Sequence, residues 1–127
     1  DISKDIVIMA SLIEKEVPES NDRKIISGIL WKRLKLGMPL QVDAVFPYLT
    51  GKREVLSDDL KIDSPYNTYL YKGLPPGPIS NPGLDAIEAA RNPKESPYLY
   101  YLSGQDGKTH FAKTFAEHLR NKERYLK

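Results

Sequence analysis

The sequence predicts an α+β domain, and three observations carry that expectation. Two stretches of helical apolar spacing open the chain, a proline- and glycine-rich run interrupts its middle, and a hairpin pattern precedes a last amphipathic stretch. Helices and one antiparallel hairpin in this order suggest the α+β class. At 127 residues, with 40% apolar and 28% charged side chains, the chain is long enough for one ordinary globular core.

The first helix is expected over about Lys4 to Glu16. Ser3 is its N-cap and Asp5 lies in its first turn. Val17 precedes Pro18 and is biased out of the helical region, so the helix should end at about Glu16. Ser20-Asn21-Asp22 supplies the next cap, and Ile25, Ile26, Ile29, Leu30, Leu34 and Leu36 then recur at helical spacing up to a Gly37 stop. Trp31 belongs at that helix's edge. Arg33 falls near its apolar side, either as a snorkelling surface residue or as the charge partner of a carboxylate in the helix pair.

Met38 to Tyr48 reads as extended or irregular, with Gln41 and Asp43 on one side and Val42 on the other. Ser57 to Leu60 reads as a short capped helix. Between Pro65 and Gly83 lie five of the ten prolines and three of the eight glycines, which excludes a helix. Its tyrosines, Asn67 and Thr68 make this a shaped cleft loop rather than a linker, with Asn67, Tyr69 and Tyr71 on one face. A further helix starts at Asn81-Pro82-Gly83, is carried by Leu84, Ala86, Ile87, Ala89 and Ala90, and stops near Asn92-Pro93. Tyr98 to Ser103, a turn at Gly104 to Gly107, and Thr109 to Ala112 make the hairpin. Thr114 caps the last helix, with Phe115, Leu119 and Leu126 expected inward.

Composition narrows the chemistry. A net charge of +2 is too small to argue for nucleic acid. With no cysteine, disulfides, thiol catalysis and cysteine-ligated zinc are excluded. The two histidines, His110 in a strand and His118 on the last helix, make no metal-ligand set, and no cofactor pattern is present. Gly73, Gly77 and Gly83 alternate with prolines, which lack the N–H donors of a phosphate loop. No serine has a His–Asp partner arrangement.

One group stands out. On a helical wheel of roughly 100° per residue, Met9, Ala10, Leu12, Ile13 and Val17 share an arc, and Glu16 falls inside it between Met9 and Leu12. Glu14 lies near the arc's edge. Burial and the negative end of the helix both favour the neutral acid, so the pKa of Glu16 should be raised, and a neutral carboxyl can protonate a leaving group. The competing reading is a structural carboxylate paired with a base from elsewhere. Eight of the twelve aromatic residues are tyrosines, which suit either packing or the faces and hydroxyl rims of sugars.

Taken together, ASLIEKE at 10–16, RLKLGMPLQVD at 33–43, YNTY at 66–69 with GLPPGPI at 73–79, NPG at 81–83, PYLY at 97–100 and HF at 110–111 resemble one family. They are similar, in order and over nearly the whole chain, to the catalytic domain of the endolytic murein transglycosylases (MltG/YceG-like). The resemblance implies a lysozyme-like active site that cuts peptidoglycan glycan strands between N-acetylmuramic acid and N-acetylglucosamine without water, leaving 1,6-anhydro ends. Its catalytic glutamate corresponds to Glu16. Glu14, Gln41, Asp43, Tyr66, Asn67, Thr68, Tyr69 and Pro76 are then the expected substrate-binding residues.

The resemblance further implies that residues 1–127 are a single catalytic domain, an excerpt of a longer protein anchored in the bacterial cytoplasmic membrane and working on its outer face. There it would terminate glycan strands in cell-wall biogenesis, with peptidoglycan synthases as partners. Two other readings keep the same residues. A lysozyme-like muramidase would use water, with Asp43 or Glu14 as second carboxylate. A wall-binding module would hold glycan on its tyrosines and not cleave it.

Overall fold

The computed structural model describes residues 2–126. Five helices and one hairpin follow in the order α1 (Lys4–Glu16), α2 (Ser20–Leu36), α3 (Val45–Thr50), α4 (Leu84–Arg91), β1 (Tyr100–Ser103), β2 (Thr109–Ala112) and α5 (Phe115–Tyr125). A 3₁₀ turn at Ser57–Lys61 lies between α3 and α4. The class is α+β, as the order of patterns predicts.

Local chemistry sets the ends. Ser3 Oγ accepts the Ile6 amide at 3.2 Å, and Val17 leaves the helix in extended conformation before Pro18. The α2 cap is Glu19 rather than the Ser20–Asp22 run: its carboxylate accepts the amides of Asn21 and Asp22, and Ser20 Oγ donates instead to Asp85. Gly37 ends α2 at φ 74°, where a side chain would strain the backbone. Residues 45–48, the end of the stretch expected to be extended or irregular, belong to the short helix α3; Pro47 sits in its first turn, where no helical N–H is lost.

Helices α1, α2 and α4 pack against one another around Met9, Leu12, Ile13, Ile26, Leu30, Val42 and Phe46. Buried Ala86, Ala89 and Ala90 let α4 approach closely. Gly28 of α2 is required by a close approach: a Cβ there would stand 2.1 Å from the Lys94 carbonyl oxygen. The hairpin is antiparallel, with Tyr100 opposite Ala112 and Tyr101 opposite Phe111, and α5 lies on it. Phe115, Leu119 and Leu126, expected inward, are largely exposed, as are Leu36 and Leu84. The hairpin is too narrow to cover the whole apolar face of α5.

The proline-rich loop is ordered by buried polar bonds. Ser11 Oγ, fully buried in α1, accepts the Ile79 amide at 3.0 Å, and Ser80 Oγ donates to the Ser11 carbonyl at 2.9 Å. Asn67 Nδ2 donates to the carbonyls of Leu60 and Ile62, while its Oδ1 accepts the Tyr69 amide. Thr68 Oγ1 accepts the Val42 amide at 2.9 Å, and the Thr68 carbonyl accepts the Gln41 amide. The loop thereby fixes the 41–43 segment against α1. Its 66–71 part turns through these bonds rather than running extended, so Asn67 faces inward while Tyr71 is exposed and donates to Asp63.

Candidate active site

A cleft of about 450 Å³ opens between the end of α1, the 40–43 segment, Tyr69, β1 and the inner side of α5. Glu16, Gln41, Asp43 and Tyr69 of the expected residues line it, joined by Arg33, Tyr100, Tyr101, His118 and Lys122. The other five expected residues stand elsewhere. Asn67 and Thr68 are buried behind the wall, where they hold backbone. Tyr66 packs its ring on Tyr48, 5.1 Å between centroids, and Pro76 is exposed away from the cleft lining.

Glu14 also points away from the cleft. Its Oε1 accepts the Gly83 amide at 2.8 Å at the start of α4, and Oε2 takes Arg23 at 2.9 Å. The Gly83 N–H and then the Arg23 charge hold this carboxyl below its ordinary value, against the opposing effect of burial. Arg23 also donates through Nε to the Val17 carbonyl at 2.7 Å and through Nη1 to Asp85. It is this arginine, not Arg33, that pairs with a carboxylate of the helix pair.

Glu16 is half-buried and faces the cleft. The Tyr101 hydroxyl donates to its Oε1. Burial pushes the Glu16 carboxyl up to about 7, the nearby Asp43 charge pushes the same way, and the Tyr101 hydrogen bond opposes both. Tyr69 donates to Asp43 Oδ1. Burial raises both phenols above their ordinary value, Tyr101 beside Glu16 and Tyr69 beside Asp43, so each remains a donor at neutral pH. The result is one carboxyl poised between its two protonation states and a second carboxylate in the same cleft.

Gln41 carries the one positive φ of a non-glycine residue among the described residues, 54°. That conformation, costing about 1 kcal/mol for such a residue, turns its side chain to the cleft while Val42 enters the core. Arg33 is buried; its guanidinium donates to the carbonyls of Pro39 and Leu99 and weakly to Gln41 Oε1. It is not a snorkelling residue, and among the described residues it is not half of an ion pair. Lys32 likewise donates to the Ser96 and Tyr98 carbonyls. A larger depression of about 620 Å³ is lined by Trp31, Lys32, Lys35, Lys94 and the exposed Glu95.

Tyr101, Tyr100 and His118 were not singled out by sequence reasoning. The tyrosine excess was the available signal, but spacing within a four-residue strand does not say which ring meets a carboxylate 85 residues earlier.

The profile of the YceG-like family matches residues 2–124. The "Endolytic murein transglycosylase" of Bacillus subtilis is 48% identical over 123 residues, which are 95% of this chain and 34% of that protein. The protein of the same name from Streptococcus pneumoniae strain D39 is 40% identical over 125 residues, 92% of this chain and 23% of that one. A crystal structure of a yceG-like protein from Listeria monocytogenes superposes with a TM-score of 0.86 at 47% identity, over 91% of this chain and 38% of that chain. The chain thus spans about a third or less of the length of the curated relatives it matches.

Proposed function

The chain belongs to the YceG-like family, and on that premise we propose that it is the catalytic part of an endolytic murein transglycosylase, with Glu16 as its acid and base. The observation that carries this reading is the Glu16 carboxyl itself, held near pH 7 by burial at the mouth of a cleft large enough for sugar rings. The substrate is the peptidoglycan glycan strand. On this reading the protein works at the cell envelope, at the outer face of the cytoplasmic membrane, beside the synthases that extend the strands it cuts. Its relatives' names support the envelope; among the described residues no helix is long and apolar enough to cross a membrane.

Neutral Glu16 protonates the oxygen linking N-acetylmuramic acid to N-acetylglucosamine as that bond breaks through an oxocarbenium-like state. The carboxylate left behind is stabilised by the Tyr101 hydroxyl. It then accepts the proton of the muramic acid 6-hydroxyl as that oxygen closes on the anomeric carbon, giving the 1,6-anhydro ring. An intramolecular nucleophile needs no second carboxylate. Burial, with the Asp43 charge assisting, keeps Glu16 protonated, and Gln41 and Tyr69 position the sugar.

The presence of Asp43 beside Glu16 favours one alternative, a muramidase in which Asp43 directs a water to the same carbon. Glu14 cannot serve in that role, being bound to Gly83 and Arg23. Mass spectrometry of chain ends after incubation with intact peptidoglycan separates the two: anhydro ends are lighter than hydrolytic ends by one water. Anhydro ends made by the native protein and absent with Glu16→Gln are expected. Hydrolytic ends would assign the water reaction, and strands that bind but stay intact would leave a binding module.

A further inference from the structure

We propose that Arg33, His118 and Lys122 form a carboxylate-binding subsite within the cleft, which takes an acidic substituent carried on the muramic acid of the strand. The proposal rests on the peptidoglycan reading above and adds to it a preference for the charge state of the substrate.

The carrying observation is a buried cation without an acid. Arg33 is 6% exposed, and a guanidinium so enclosed ordinarily faces a carboxylate. Here its N–H groups go to the Pro39 and Leu99 carbonyls and the Gln41 amide oxygen, and it forms no salt bridge among the described residues. Neutral carbonyls satisfy the donors but leave the charge uncompensated. The two carboxylates of the cleft are each engaged by a phenol, Glu16 by Tyr101 and Asp43 by Tyr69. A fixed charge in a low-dielectric wall projects its field into the cleft it lines.

Two further groups line the same cleft. Lys122 lines the cleft from α5 with an exposed side chain, and no ion pair holds it among the described residues. One turn earlier, His118 stacks on the Tyr100 ring at 5.2 Å, and the Arg33 guanidinium lies 5.3 Å from the centre of that ring. His118 Nδ1 is buried without a hydrogen-bond partner. A buried orphan N–H is rarer than a buried lone pair, which assigns the proton to Nε2, the nitrogen left for the cleft. Burial, then the Lys122 and Arg33 charges, lowers the basicity of His118, so it is a neutral donor.

Two positive charges and one neutral donor are more than sugar hydroxyls require; they suit an anion of carboxylate size. Carboxylates reach a glycan strand through the lactyl ether of muramic acid. They are either the lactyl carboxylate of a strand stripped of peptide or those of an attached stem peptide. Binding to the protein carrying Glu16→Gln, which removes turnover, tests the subsite with three strand preparations: stem peptides with free carboxylates, the same stems amidated, and stripped strands.

The preparation whose free carboxylate the subsite takes, stem or stripped, is expected to bind about tenfold more tightly than the amidated strands, from two charge-assisted contacts. Adding Lys122→Ala should weaken carboxylate binding about fivefold and leave amidated strands unchanged, while Lys122→Arg restores it. The preparation that responds to Lys122 identifies the source of the carboxylate. Lys122 is the residue to change because Arg33 also holds backbone. Equal affinity of all three preparations, or equal weakening of all three by Lys122→Ala, would overturn the subsite while leaving cleavage by Glu16 standing. If no strand binds, the subsite and the peptidoglycan reading fall together.

Discussion

Glu14 and Glu16 are two residues apart on one helix, and the structure drives their carboxyls in opposite directions. Glu14 meets the first amide of α4 and the Arg23 guanidinium, and its carboxyl lies below its ordinary value. Glu16 meets packed apolar atoms, one phenol and the Asp43 charge, and its carboxyl is pushed up to about 7. The first carboxylate contributes to stability as an anion; the second is destabilising as an anion and useful for that reason. The same residue type on the same helix is fastening at one place and, on the proposed reading, chemistry at the next, and what differs is only what the rest of the chain brings to each.

The sharpest way to break this comparison is to make the same substitution twice. Glu16→Gln should lower strand cleavage by about 10³-fold or more, since an amide cannot act as the acid. Glu14→Gln should retain most activity in the folded protein. Chain-end analysis by mass spectrometry checks both; equal losses would mean that the acid is misassigned.

Stability should move with opposite signs. An acid whose folded-state pKa is raised binds more protons folded than unfolded between the two values, so stability falls as pH rises from about 4.5 to about 7. Glu16→Gln removes that loss and should stabilise the fold at pH 7.5 by about 2–3 kcal/mol. Glu14 has a lowered value, so its contribution is present above the unfolded pKa and lost as pH falls below it. Glu14→Gln should cost about 1–2 kcal/mol at neutral pH by weakening two charge-assisted bonds. Urea unfolding at pH 5 and 7.5 measures both, and a destabilising Glu16→Gln at the higher pH would contradict the account.

A smaller effect sharpens the causes. The turnover rate of the native protein should fall above about pH 7, as the acid ionises. Tyr101→Phe removes the donor that favours the carboxylate and should move that limb up by about one pH unit, whereas Asp43→Asn should move it down. Shifts in the same direction would mean that these neighbours act through packing. The smallest effect is expected at Gln41, where glycine relieves the positive φ: Gln41→Gly should stabilise by about 1 kcal/mol while raising KM.

What the sequence made legible follows from the range of the forces involved. Helix α1, its Ser3 cap, its end before Pro18 and the inward face of Glu16 are all written within fifteen residues of one another, and the structure has them so. The alternation that sends Val42 inward and Gln41 and Asp43 to the cleft is equally local. The fate of Glu14 was not legible, because Gly83 arrives from 69 residues away. Nor were Tyr101, Arg33 and His118 as cleft residues, since the cleft closes only when β1 and α5 come to lie beside the end of α1. Asn67 and Thr68 misled for a related reason: polar residues in a proline-rich loop can serve a ligand or the backbone, and only burial tells which. Spacing correctly grouped Phe115 and Leu119 on α5, but a shared face is not a covered one.

The most direct measurement is a ¹³C NMR titration of the glutamate side-chain carboxyls, assigned with Glu14→Gln and Glu16→Gln. The account predicts a midpoint near 7 for Glu16 and one below 4.5 for Glu14. Two carboxyls titrating together at the ordinary glutamate value would contradict it.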